Sequence, residues 1–131
     1  MMGMKKPKPF KIRERLHSFR PAFHGLRLFF IIEHNARIHL VLGVTAILIS
    51  LWLQINRERL CIIVLTIAVV WAAEALNTVL ELLVNMVSPD YSDAAKLAKD
   101  VGAGAVLIAC IAAAAIGALI LLPPFLLRVF P

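Results

Sequence analysis

Along this chain the uncharged, apolar positions collect into three long runs, and a shorter segment of helical periodicity precedes them. In that first segment Leu16, Phe19, Phe23, Leu26 and Phe30 recur at spacings of three and four, so they share one helical face. Arg13, Arg20, His24 and Arg27 flank it. An apolar stripe edged by cations is the pattern of a helix lying in a membrane interface, and it predicts a surface helix over about 10–32. The same stripe also serves a helix that merely packs on a bundle. Pro21 divides the segment: either Ser18 caps a helix with Pro21 in its first turn, or the helix kinks at Pro21. Residues 1–9, with prolines at 7 and 9 and lysines at 5, 6 and 8, read as a flexible basic lead-in to a single membrane domain over 10–131.

The first long run is the uncharged interval between Arg37 and Arg57, close to the roughly 20 residues that cross about 30 Å of hydrocarbon. It predicts a transmembrane helix over about 36–55, with Trp52 at headgroup level. Asn56-Arg57-Glu58-Arg59 reads as a tight turn. The second run predicts a helix over about 60–87, longer than a bilayer requires, so its end projects from it. Residues 88–98 (SPDYSDAAKLA) are a polar connection whose later part has helical character. The third helix is predicted over about 98–122, ended by Pro123-Pro124. Its small residues, Gly102 to Ala105, Ala112 to Ala115, Gly117 and Ala118, suit close helix packing and oligomerisation.

Composition agrees with lipid as solvent: 61% of residues are hydrophobic and 17% charged, against about a quarter charged in soluble domains. The formal charge is +6. Lys and Arg at 5, 6, 8, 11, 13, 15, 20, 27, 37, 96 and 99 fall on one side of the three spans, and those at 57, 59 and 128 on the other. The positive-inside tendency therefore puts the N-terminus and the 88–98 connection in the cytoplasm. The basic block before Arg37 suits anionic lipid rather than nucleic acid, because apolar spans follow it. MMGMKKPKPF has no apolar core and does not read as a signal peptide. Cys61 and Cys110 match no metal spacing and read as small buried hydrophobes.

Glu74 interrupts this picture. Fourteen uncharged residues, Leu60 to Ala73, precede it, which puts it about 20 Å along the second span. A carboxylate at such depth costs about 2.5–3.5 kcal/mol on lenient insertion scales, so it must face protein or a cavity. Asn77, Thr78 and Glu81 continue the stripe at +3, +4 and +7. Two carboxylates, an amide and a hydroxyl on one apolar helix suit a divalent cation beside a proton acceptor. A polar seam that fixes helix register and an ion or proton path are the alternatives. Glu33, Asn35 and Arg37 lie near the start of the first span. Lys96, Lys99 and Asp100 lie at the mouth of the third, with Asp90 and Asp93 in the connection. Acids, amides and lysines gathered at one membrane face fit phosphoryl transfer. The chain has no GxxxxGK[ST] loop and no protein-kinase motif set.

The segments EALNTVLE (Glu74–Glu81), AKDVGAGAV (Ala98–Val106) and EHNAR (Glu33–Arg37) resemble those of the prokaryotic diacylglycerol kinase/undecaprenol kinase family, over about residues 15–122. That resemblance implies an all-α membrane homotrimer, each subunit having an N-terminal amphipathic surface helix and three transmembrane helices. It further implies composite active sites at the cytoplasmic face of the inner cell membrane, and transfer of the ATP γ-phosphoryl group, with Mg²⁺, to a lipid alcohol. On this sequence Glu74 resembles the catalytic base, and Glu33 and Glu81 the metal ligands. Asn77 resembles the active-site asparagine, and Lys99 and Asp100 the nucleotide-contacting pair. Two positions depart from the family pattern. Asn85 stands where an aspartate is usual, which keeps hydrogen-bonding capacity and loses a charge, and Val79 stands where a small residue is usual. The EHNARIHL stretch and the AGAV after Lys99-Asp100 lean toward undecaprenol as the acceptor lipid, with diacylglycerol the alternative. A membrane assembly protein without enzymatic activity, its polar stripe acting as helix glue, is the rival from another class.

Overall fold

The computed structural model describes residues 19–130, all of it helix and short connection. Leu16, Arg13, Ser18 and the 1–9 lead-in lie outside the described residues. Four helices follow in order: α1 (Phe19–Ile32), α2 (His34–Trp52), α3 (Arg57–Val87) and α4 (Asp93–Val129). The last three are each long and apolar enough to cross a membrane, as in a multi-pass membrane protein. α3 packs most extensively on α4 and next on α2, while α1 rests on α2. Few side chains are buried within the single chain, and apolar residues on every helix are exposed. One chain therefore cannot cover its own apolar surface.

Pro21 lies in the first described turn of α1, and the described helix runs through it without a break. Of the five apolar positions that mark the predicted face, Phe30 packs inward, its ring set edge-on to Trp71 at 5.4 Å, whereas Phe19, Phe23 and Leu26 are exposed. Glu33 alone separates α1 from α2. It is extended (φ −87°, ψ 117°), yet its N–H still donates to the Phe29 carbonyl at 2.9 Å. Its carboxylate makes no capping hydrogen bond, so it stays available for other work.

The turn between α2 and α3 falls earlier than the polar run predicts. Gln54 takes a left-handed conformation (φ 53°), with Gln54 N–H donating to the Leu51 carbonyl and Ile55 N–H to the Ser50 carbonyl. These two bonds close a Schellman motif on a non-glycine residue. The Asn56 side chain then accepts from Arg59 N–H at 3.0 Å, so Arg57, Glu58 and Arg59 are the first turn of α3 rather than a loop.

The expected stop at Pro123-Pro124 does not occur. α4 runs through both prolines to Val129. Each proline forfeits one N–H, but membrane helices tolerate that loss where neighbouring groups make up for it. The extra turns carry Phe125 to within 6.2 Å of the Trp52 ring, and the Arg128 guanidinium sits 5.1 Å above that ring. Trp52 is thus held by a cation–π contact as well as by any interfacial preference. Cys61 is exposed in the single chain, contrary to its reading as a buried hydrophobe. Cys110 is partly buried, its sulfur 3.9 Å from His39 Nε2.

Close approach of α2 to α3 depends on Gly43, where a Cβ would meet Ile67 Cγ2 at 3.0 Å. Gly43→Val is expected to destabilise the protein by about 1–3 kcal/mol through overpacking. Thermal unfolding in detergent measures this, and an unchanged midpoint would mean that the α2–α3 contact yields freely.

Candidate functional site

The polar stripe of α3 is built by helix geometry alone, since residues 74, 77, 78 and 81 fall on adjacent turns of one helix. Glu74 is only 3% exposed, the one buried acidic residue among the described residues. One turn on, Asn77 Nδ2 donates to Glu81 Oε1 at 2.9 Å. The Thr78 hydroxyl donates to the Glu74 carbonyl at 3.0 Å, so it serves the helix backbone rather than the stripe. Counting 1.5 Å per residue from Leu60, Glu74 lies about 21 Å and Glu81 about 31 Å along the span. The first falls inside the hydrocarbon thickness and the second at its edge.

α4 completes one wall. Gly102 is buried against the Asn77 side chain, and a Cβ there would collide with Asn77 Oδ1. That oxygen is itself enclosed and accepts no hydrogen bond. Further out, Lys99 Nζ donates to Asn85 Oδ1 at 2.6 Å, linking the two helices beyond the Asn77–Glu81 pair. Of the two residues that depart from the family pattern, Asn85 is thus the one that holds Lys99. Glu33 and Asp100 lie outside this hydrogen-bonded group. The Asp93 carboxylate accepts from the Tyr91 hydroxyl at 3.0 Å and so serves local structure, while at Asp90 it is the backbone carbonyl that accepts from Ser88 Oγ.

Two residues that sequence reasoning did not assign to the site border it. Gly102 was visible only as one of a series of small residues, and nothing local distinguishes it from Gly104. Trp71 lies three residues before Glu74 and has an enclosed indole N–H without a partner. Its signal was position: a tryptophan in mid-span, away from the headgroup belts where the residue concentrates.

Among the described residues no three His, Cys, Asp or Glu side chains converge on a metal position. Mg²⁺ at a nucleotide site needs only one or two carboxylates, with phosphate and water supplying the rest. The hard oxygen donors of Glu81 and Glu33, with the unpartnered Asn77 carbonyl beside Glu81, are chemically suited to that.

Residues 20–121 match the prokaryotic diacylglycerol kinase family. The chain belongs to that family. A diacylglycerol kinase from Synechocystis sp. is 42% identical to it over 112 residues, covering 85% of this chain and 64% of the relative. Thus the chain spans just under two thirds of that relative's length. The diacylglycerol kinase of Escherichia coli K12 is 32% identical over 92 residues, covering 70% of this chain and 75% of the relative. An undecaprenol kinase from Bacillus subtilis is 31% identical over 91 residues, covering 70% and 74%. All of the α3 stripe and the Lys99–Asp100 and Gly102 positions lie inside the family match.

Within this prokaryotic diacylglycerol kinase fold, Gly102→Ala isolates the α3–α4 contact. The colliding atom is the tip of a flexible side chain, so the helices can stay packed while Asn77 swings away from Glu81. Lipid phosphorylation is expected to fall about 10–100-fold, with little change in melting temperature. Wild-type activity in the variant would show that Asn77 need not hold Glu81.

Proposed function

We propose that this protein is an ATP-dependent lipid kinase, transferring the γ-phosphoryl group of ATP to the hydroxyl of diacylglycerol at the cytoplasmic face of the cell membrane. The observation that carries this reading is a buried carboxylate, Glu74, one turn from a hydrogen-bonded Asn77–Glu81 pair in a membrane-length helix of this family. Glu74 accepts the proton of the lipid hydroxyl as the hydroxyl oxygen bonds to the γ-phosphorus, the bridging bond to the β-phosphate breaks and ADP leaves. The depth of Glu74 places it where a lipid hydroxyl, but not bulk water, arrives. Lys99, braced by Asn85, offsets charge on the nucleotide phosphates, and Asp100 and Asn77 complete the nucleotide contacts. Glu33 and Glu81 would hold Mg²⁺, which supplies neutralisation of phosphate charge when bound. Gly43 sits against Ile67, and following that antiparallel register ten residues brings Glu33 about level with Asn77, within the same membrane layer.

The family resemblance implies a homotrimer with composite sites, in which α1 lies along the inner-membrane surface as an amphipathic helix with the N-terminus cytoplasmic, and the apolar surface that one chain leaves exposed is open to lipid and to further copies. The alternative acceptor is undecaprenol, favoured by the EHNARIHL stretch and by the Bacillus subtilis relative. Diacylglycerol stands first because the relatives named for it include the one at 42% identity. Purified protein with Mg-ATP, offered each lipid in separate mixed micelles, is expected to phosphorylate diacylglycerol faster. The reverse order would assign undecaprenol, and no product with either would leave the stripe as helix glue.

A further inference from the structure

We infer that the end of the bundle opposite Lys99 binds an anionic phospholipid of the leaflet there, with its phosphate on Arg128 and an acyl chain along the groove between α2 and α4. The inference rests on the three membrane-length helices and stands apart from the lipid-kinase reading.

On α4, Gly117, Leu121, Phe125 and Arg128 follow one another at spacings of four, four and three, so they form one stripe. The first three, with Ile49 of α2, line a shallow, open groove whose walls are apolar. A Cβ added at Gly117 would meet nothing within 4 Å, so this chain leaves the deep end of the groove unfilled. The other end closes on Trp52 of α2. The Phe125 ring lies 6.2 Å from the Trp52 ring, and the Arg128 guanidinium stands 5.1 Å above it. Both Trp52 and Arg128 are exposed. Stacking holds the guanidinium in place without pairing it to an acid, and its N–H donors suit the oxygens of a phosphate.

Depth then selects a lipid as the occupant. From Lys99 to Arg128, α4 rises about 44 Å at about 1.5 Å per residue. A bilayer with its headgroup layers is about 40–45 Å thick, so the two cations lie in opposite headgroup layers. From Arg128 the stripe reaches Gly117 about 16 Å further in, most of the depth of one leaflet. A cation at headgroup level above an apolar groove of that length matches a phosphate with its hydrocarbon tail. Charge selects the anionic kind. Arg57, Arg59 and Arg128 lie at this face, and Glu58 is the one acidic side chain placed with them. The family match ends at residue 121, so Phe125 and Arg128 lie beyond it.

The test uses the full chain with Trp71→Phe, which keeps an aromatic ring against Phe30 and leaves Trp52 as the only tryptophan. It is placed in bilayers containing phosphatidylglycerol or phosphatidylcholine brominated on the upper part of the acyl chains, since bromine quenches a tryptophan it touches. At fixed ionic strength, phosphatidylglycerol is expected to compete for the surroundings of Trp52 about fivefold better than phosphatidylcholine, the effect of one basic residue at a charged lipid surface. Arg128→Gln is expected to bring that ratio near one, and Arg128→Lys to keep part of it. Gly117→Leu retains every charge and fills the groove, so it is expected to lower quenching by both lipids. Equal quenching by the two lipids in the parent protein would overturn the inference. A preference that survives Arg128→Gln would overturn it as well, assigning the charge effect to Arg57 and Arg59. Quenching unchanged by Gly117→Leu would take the acyl chain out of the groove. Shielding of Trp52 from both lipids would replace the lipid with a second copy of this chain.

Discussion

Glu74→Gln is expected to lower kcat for lipid phosphorylation by about 10²–10⁴-fold while leaving the protein folded. The substitution keeps the shape of a side chain that is 3% exposed and removes only its ability to take a proton. Because a charge within the hydrocarbon is costly, its loss should leave thermal stability unchanged or raised. The two readouts are therefore expected to move in opposite directions, which a purely structural carboxylate would not produce. Phosphate transfer from labelled ATP, measured beside a detergent melting curve, checks both. Wild-type turnover in the variant would remove Glu74 as the base and leave the family assignment untouched.

Glu81→Ala is expected to raise the Mg²⁺ concentration for half-maximal activity by at least about tenfold. Glu81 lies near the hydrocarbon edge, where a hydrated cation and a nucleotide can reach it, and one of its oxygens is already oriented by Asn77 Nδ2 at 2.9 Å. Asn77→Ala leaves the carboxylate in place and removes only that tie, so it should shift the Mg²⁺ titration less. The order of the two variants is the informative result. A larger shift for Asn77→Ala would make the Asn77 carbonyl, enclosed and without a hydrogen bond, the nearer contact to the cation. An unchanged titration in Glu81→Ala would take Glu81 out of the metal site altogether.

The three spans were legible because crossing a membrane is a local demand: about 20 apolar residues satisfy it wherever they lie. The shared face of Glu74, Asn77 and Glu81 was legible for a related reason, since i, i+3 and i, i+4 relations are set by one helix and need no partner. Proline was the misleading signal. Pro123-Pro124 would end most helices in water, yet α4 continues through them and delivers Arg128 to Trp52. Whether a membrane helix survives a lost N–H depends on its surroundings, which lie elsewhere in the chain or beyond it.

The sequence by itself determined the number of spans, the charge asymmetry across them, the carboxylate stripe on the second and the family resemblance that gives the stripe a chemistry. Each follows from residue type and short-range spacing. Tertiary structure decided which polar groups meet across helices. It set Asn77 beneath Gly102, Lys99 on Asn85, and Arg128 over Trp52. Those contacts depend on how each helix is rotated and staggered against its neighbour. Packing of whole surfaces sets that stagger, and no local pattern of apolar and polar residues encodes it.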